Sequence, residues 1–174
     1  MKIVVDAFDI DSIDKAIRQL DHYSKDLERK ANLLCEKLAN IGYEVAFQIM
    51  GEHVYSGETI SSLQVQEVGK GQFVILAGSV ALLFFEFGAG VNGAGHPLAG
   101  DFGMGPGTYP GQKHAFDPYG WWYPTDDSSL AISTNKDGIM WSHSKGNPPY
   151  MPMYNASRKI REDLLRIAQE VFRT

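Results

Sequence analysis

From residue 13 onward apolar side chains recur at steps of three, four or seven: Ile13, Ile17, Leu20, Leu27, Ala31, Leu34, Leu38, Ile41 and Val45. Ser24 interrupts the stripe, while Lys15, Arg18, Asp26, Arg29, Lys30 and Lys37 fill the opposite faces. This spacing predicts one long amphipathic helix. It should start near Ser12, with Asp11 or Ser12 as N-cap and Asp14 in the first turn, and end at about Met50. Gly42 is the position at which it would bend. Two readings of the stripe stand side by side. Either the helix packs only on its own sheet, or part of it also packs on another subunit, because a helix this long overhangs a small domain. Ahead of it, Lys2 to Phe8 carries β-branched Ile3, Val4 and Val5 and reads as a short strand stopped by Asp9 and Asp11.

Gly51 to Ser62 reads as a surface loop. Leu63 to Val68 then alternates apolar and polar residues, and Gln72 to Ala77 resumes after Gly69-Lys70-Gly71, which predicts a β-hairpin. Next comes Ala81-Leu82-Leu83-Phe84-Phe85-Glu86-Phe87-Gly88, an almost wholly apolar run. Its length and composition suit a strand buried on both faces better than a helix. Glu86 is its anomaly, because an unpaired carboxylate in apolar surroundings costs on the order of several kcal/mol. Either the strand surfaces there, or Glu86 has a dedicated partner.

From Gly88 to Pro149 the composition shifts. Twelve of the 18 glycines and most of the prolines fall here, together with Trp121, Trp122, Tyr123 and Trp141. A loop this long is uncommon in a compact domain, and its aromatics argue against plain disorder. A small hairpin is expected from Ser129–Ser133 and Gly138–Ser142, turning at Asn135-Lys136-Asp137-Gly138. A last helix should begin near Pro152 and present Ala156, Ile160, Leu164, Ile167, Ala168 and Val171 on one face. The expected fold is therefore α+β: an antiparallel sheet packed against a long N-terminal helix and a C-terminal helix. The chain reads as one domain over 1–174, a scaffold of 1–88 and 149–174 carrying a Gly- and aromatic-rich inserted arm at 89–148.

Composition narrows the classes. With 174 residues, 44% apolar and 21% charged, the chain can bury a core. A net charge of −5 argues against a general nucleic-acid binder. Cys35 is the one cysteine, so no intrachain disulfide framework exists, in keeping with a reducing compartment. The apolar run after Met1 is too short for a signal peptide, and no segment reaches membrane-spanning length, so a soluble protein is expected.

Candidate chemistry is sparse. Gly88-Ala89-Gly90-Val91-Asn92-Gly93 fits G-x-G-x-x-G, but Gly95, His96 and Pro97 follow where a helix should open, and no βαβ unit surrounds it. A turning loop is the better reading, and no cofactor is expected. His96, His114 and His143, with Asp101, Asp117, Asp126, Asp127 and Asp137, lack close ligand spacing and read as a solvated loop rather than a metal site. Cys35, in mid-helix, reads as a structural thiol. No nucleophile elbow and no acid–base pair of carboxylates appears, so no catalytic residue is assigned. The segment Tyr119-Gly120-Trp121-Trp122-Tyr123-Pro124 has the stronger claim, as a satellite core for some of its rings and a partner contact for the others.

Phe84-Phe85-Glu86-Phe87-Gly88 resembles the aromatic-Glu-Phe-Gly signature of tailed-bacteriophage head–tail joining proteins, also described as tail-completion, neck or minor tail components. Pro149-Tyr150-Met151-Pro152-Met153-Tyr154-Asn155-Ala156 resembles the segment that starts the last helix in that family. The long helix and hairpin precede them in the family's order. Ala89 stands where a threonine is usual, and the loop from 89 to 148 is far longer than is typical. The resemblance implies a structural, non-enzymatic subunit assembled in the bacterial host cytoplasm. It would then sit at the virion head–tail junction, as a ring contacting copies of itself and neighbouring connector and tail tube proteins. It marks Glu86, Phe87, Gly88, Pro149, Tyr150, Pro152 and Ala156 as structural positions, with Glu86 expected to pair with an arginine or a backbone amide. Competing readings are a glycan- or receptor-binding tail component using Trp121, Trp122, Tyr123 and Trp141, and, further off, a cell-wall hydrolase with Glu86 as acid.

Overall fold

The computed structural model describes residues 3–53, 60–78, 81–104 and 117–173. Helix α1 spans Ile10–His53 without interruption. Its start is set by Asp9, whose Oδ1 accepts the Asp11 N–H at 3.1 Å and whose carbonyl accepts the Ile13 N–H at 3.1 Å. A short carboxylate in this position satisfies a first-turn donor that has no intrahelical acceptor. The helix therefore begins ahead of Asp11 and Ser12, and Ser12 Oγ instead accepts the Asp6 N–H at 2.9 Å.

The expected strand over residues 2–8 is corrected, with Lys2 itself outside the described residues. Asp6 Oδ1 accepts the Phe8 N–H and the Asp6 carbonyl accepts the Asp9 N–H. This local turn takes the groups that strand pairing would need. At the other end α1 continues past Gly51 to His53, and Ile60 and Ser61 are helical as well, so the loop expected over Gly51–Ser62 is corrected at both described ends; residues 54–59 lie outside the described residues.

Strands β1 (Gln64–Gly69) and β2 (Gln72–Leu76) form the expected antiparallel hairpin, pairing Val65 with Ile75 and Glu67 with Phe73. Gly71 supplies the positive φ of +66° that the tight turn requires. The turn is fastened to α1, since the Gly71 N–H donates to Asn32 Oδ1 at 2.7 Å and Lys70 pairs with Glu28.

The central apolar run is not a strand. Residues Ala81–Phe87 form helix α2. No described strand lies alongside to accept its backbone, and seven residues of helix send the side chains to three neighbours instead. Leu82 joins a cluster with Ala46, Met50, Leu63 and Ala156, Phe85 meets the Tyr150 ring, and Phe87 meets His96 and Phe102. Gly88 closes the helix at φ +80°, its N–H donating to the Phe84 carbonyl at 2.9 Å. A Cβ there would lie 2.5 Å from Gly93 Cα and 2.9 Å from the Asn147 carbonyl oxygen, so only glycine fits.

Beyond α2 a three-stranded antiparallel sheet is ordered β3 (Trp121–Thr125), β5 (Met140–Ser144), β4 (Ser133–Thr134). A hairpin turns at Asn135, with Asn135 Oδ1 accepting the N–H of Asp137 and of Ile139, but its first strand is only Ser133–Thr134 rather than 129–133 and its second runs Met140–Ser144 rather than 138–142. Helix α3, Pro152–Arg173, ends the described chain.

The architecture is α+β: a long N-terminal helix packs on a C-terminal helix and two small antiparallel sheets. One cluster holds Ala46, Met50, Leu63 and Ala156. A second holds Leu38, Ile167 and Val171, with Leu33, Leu34, Ile41 and Ile160 at its edge. Gly42 does not mark a break in α1. It lets the neighbours in, because a Cβ there would come within 2.7 Å of both Ile160 Cδ1 on α3 and Ile75 Cδ1 on β2.

Candidate functional site: the junction of α2 and α3

A proline at the first position of α3 has no N–H to satisfy, which leaves the donors of Met153 and Tyr154 as the orphans of that helix end. Glu86 takes both. Its Oε2 accepts the Met153 N–H and its Oε1 the Tyr154 N–H, each at 2.8 Å. The next donor, Asn155 N–H, bonds the Met151 carbonyl at 2.9 Å. A carboxylate at a helix N-terminus also meets the positive end of the helix dipole. The anomaly of an acid in an apolar run thus has a physical answer: α2 carries the cap for α3.

Glu86 has a third partner. His96 Nε2 lies 3.1 Å from Glu86 Oε1, and His96 Nδ1 accepts the Leu98 N–H at 3.1 Å. An Nδ1 that accepts bears no proton, so Nε2 carries the ring proton and donates it to the carboxylate. Both side chains are buried, His96 almost completely. The solvated-loop expectation for His96 is corrected: Phe87 and Tyr154 flank its ring, and the loop after α2 is folded back onto the cap.

The backbone repeats the connection in the other direction. The Phe85 carbonyl accepts the Tyr150 N–H at 2.8 Å and the Met151 N–H at 3.2 Å. The Phe84 carbonyl accepts Asn147 Nδ2 at 2.9 Å, and Ala89 and Asn147 exchange a pair of backbone bonds. Met151 pays for this geometry with a φ of +57°, a region that side-chain-bearing residues rarely occupy. Around this seam Tyr150 stacks on His53 with ring centroids 3.9 Å apart, Pro152 and Ala156 are buried, and Pro149 is half-buried. Glu86, Phe87 and Gly88 meet Tyr150, Pro152 and Ala156 at one place in the fold.

The aromatic residues fall on two faces. Residues paired across an antiparallel ladder share a face. Trp121 pairs Ser144 and Tyr123 pairs the buried Ser142, whereas Trp122 pairs His143 and Trp141 pairs Pro124. Trp121 and Tyr123 are half-buried, and a Cβ on Gly90 would lie 2.9 Å from the Trp121 ring. Trp122 is 53% exposed and meets His143 edge-on at 5.0 Å.

A mostly apolar cavity of about 410 Å³ borders the cap, lined by Leu82, Phe87, Leu98, Phe102, Met104 and Tyr154 among others. Among the described residues no group of three His, Cys, Asp or Glu side chains is arranged to hold a metal, and no helix is long and apolar enough to cross a membrane. His114, one of the residues weighed for metal binding, lies outside the described residues. Cys35 is half-buried in mid-helix. Comparison of the chain with models of known protein families, with curated proteins and with solved structures gave no match.

Proposed function

We propose that this chain is a structural subunit of the head–tail junction of a tailed bacteriophage, a tail-completion or connector protein that assembles as a ring and performs no catalysis. One observation carries the reading. The two segments that resemble the head–tail joining family, Phe84–Gly88 and Pro149–Ala156, are joined to each other by Glu86 capping Met153 and Tyr154. Both short motifs thereby acquire a single physical reason to occur together: one supplies the carboxylate, the other the proline-started helix that needs it. Both oxygens of that carboxylate are engaged, a load-carrying arrangement rather than that of an acid poised for proton transfer.

The test is location in the particle. Virions from the parent phage or prophage, labelled with antibody against this protein and viewed by negative-stain electron microscopy, should carry label at the head–tail junction. Label absent from that junction rejects the proposal. A second reading, a glycan- or receptor-contacting tail component, draws on the sheet face shared by Trp122, Trp141 and His143, on which Trp122 is exposed and the other two are half-buried. It predicts label at the distal tip and quenching of tryptophan fluorescence by cell-wall sugars.

A further inference from the structure

His96 does for the segment after it what Glu86 does for α3. Its Nδ1 accepts the Leu98 N–H at 3.1 Å, the first bond of a turn that runs on to Met104. In that turn the Ala99 N–H reaches the His96 carbonyl, the Phe102 N–H the Leu98 carbonyl, and the Met104 N–H the Ala99 carbonyl. A side-chain acceptor two residues upstream of the donor is a local cap. The turn also walls the apolar cavity of about 410 Å³: Leu98, Phe102 and Met104 face Leu82 and Phe87 of α2 and Tyr154 of α3 across it. The Phe87 and Phe102 rings meet with centroids 5.7 Å apart.

These two roles require one protonation state. With the ring proton on Nε2, His96 donates to Glu86 Oε1 and accepts from Leu98. Imidazole is the side chain that changes charge in mild acid. A second proton can go only to Nδ1, where the Leu98 N–H already points; two donors would then face each other and that bond is lost. At Nε2 the effect is opposite, because a charged donor bonds a carboxylate more strongly than a neutral one. The other titratable group against the ring is Tyr154 of α3, edge-on at 5.5 Å, while Phe87 of α2 contributes no charge. Asp101, the acid of the turn itself, is exposed. Among the described residues no lysine or arginine pairs with Glu86 or His96.

We infer that His96 is a pH-operated latch: uptake of a solvent proton at Nδ1 releases the turn from His96 to Met104 and opens the apolar cavity, while Glu86 keeps α3 capped. The proton separates two jobs that the neutral ring performs together. It tightens the hold on Glu86 and cuts the hold on Leu98. The device goes beyond the structural role proposed above and does not depend on it.

The test is NMR on the full chain between about pH 8 and about pH 5, the interval in which histidine titrates. Leu98 amide exchange, corrected for its intrinsic pH dependence, should speed about tenfold or more as pH falls. Its midpoint should coincide with that of the His96 ring nitrogens, while the Met153, Tyr154 and Ile167 amides stay protected. Fluorescence of an apolar-surface dye should rise over the same interval. In His96→Asn the amide oxygen can still accept from the residue two positions on, and it does not titrate there. Leu98 exchange and dye signal should therefore be indifferent to pH in that variant. A Leu98 response that does not follow the His96 ring overturns the inference, as does an equal response in His96→Asn. Loss of Ile167 protection at the same midpoint overturns it too, since the whole fold would then be opening.

Discussion

Glu86 Oε2 accepts the backbone N–H of Met153 at 2.8 Å, a bond between residues 67 apart in sequence. Through it and its twin to Tyr154, one side chain holds the start of the last helix onto the end of a short one. Everything between them, from Gly88 to Met151, leaves and returns at that point. The seam is therefore both a stabilising cap and the place where the chain's long excursion is anchored.

Removing the carboxylate leaves two part-buried donors without an acceptor and the His96 Nε2–H without its partner. Glu86→Ala should lower unfolding free energy by roughly 2–4 kcal/mol in urea titration, with an unchanged slope. Glu86→Gln keeps one acceptor oxygen and should lose about half as much. Under the proposed head–tail role, either variant should also lower assembly into particles.

His96 orients the cap by donating from Nε2 while Nδ1 holds Leu98. His96→Leu removes both bonds and should cost roughly 1–3 kcal/mol. The Glu86→Ala and His96→Leu losses should add to less than their sum, since each breaks the same bond.

At Met151 the positive φ of +57° accompanies an N–H bond to the Phe85 carbonyl and a carbonyl that accepts the Asn155 N–H. A β-branched residue tolerates this region worst. Met151→Val should destabilise by about 1–2 kcal/mol, whereas Met151→Asn should be near neutral, both read from thermal midpoints.

Gly42 admits Ile160 and Ile75 to the surface of α1. Gly42→Val would improve helix propensity and still destabilise, by roughly 1–3 kcal/mol, because two elements must move apart.

Along the flank of α3, Arg166 and then Lys159 hold the Asp163 carboxyl below its usual range. A depressed folded-state value means stability that is present above the unfolded value of 3.8 and is lost as pH falls toward the lower folded one. Asp163→Asn should flatten the acid limb of the stability–pH curve in that window, with the variant less stable than the wild type at neutral pH and the two curves converging as pH falls below the lowered folded value.

The long helix was legible because a heptad stripe over nine positions has one interpretation, and the hairpins because alternation is bracketed by Gly71 and by Asn135. Residues 81–87 were not. A short apolar run fits a buried strand or a buried helix equally well by period, and only the absence of a described neighbouring strand and the positive-φ Gly88 decide for helix. Strand β3 was hidden for a related reason, since Trp121-Trp122-Tyr123-Pro124 has no alternation and contains a proline, which the sheet tolerates at its edge. Within the site, the need for a partner to Glu86 was visible as a buried charge. Which amides answered it was not, because Met153 and Tyr154 reach it only through the tertiary fold, and His96 carried no local sign of burial.

Amide hydrogen exchange at Met153 and Tyr154, followed by NMR in the wild type and in Glu86→Gln, tests the central claim most directly. First-turn amides have no acceptor inside their own helix and ordinarily exchange quickly. With Glu86 as acceptor they should be as protected as the Ile167 amide in the helix interior, and the substitution should speed their exchange about tenfold or more while Ile167 changes less. Fast exchange of both amides in the wild type, or equal rates with and without the carboxylate, would contradict the account.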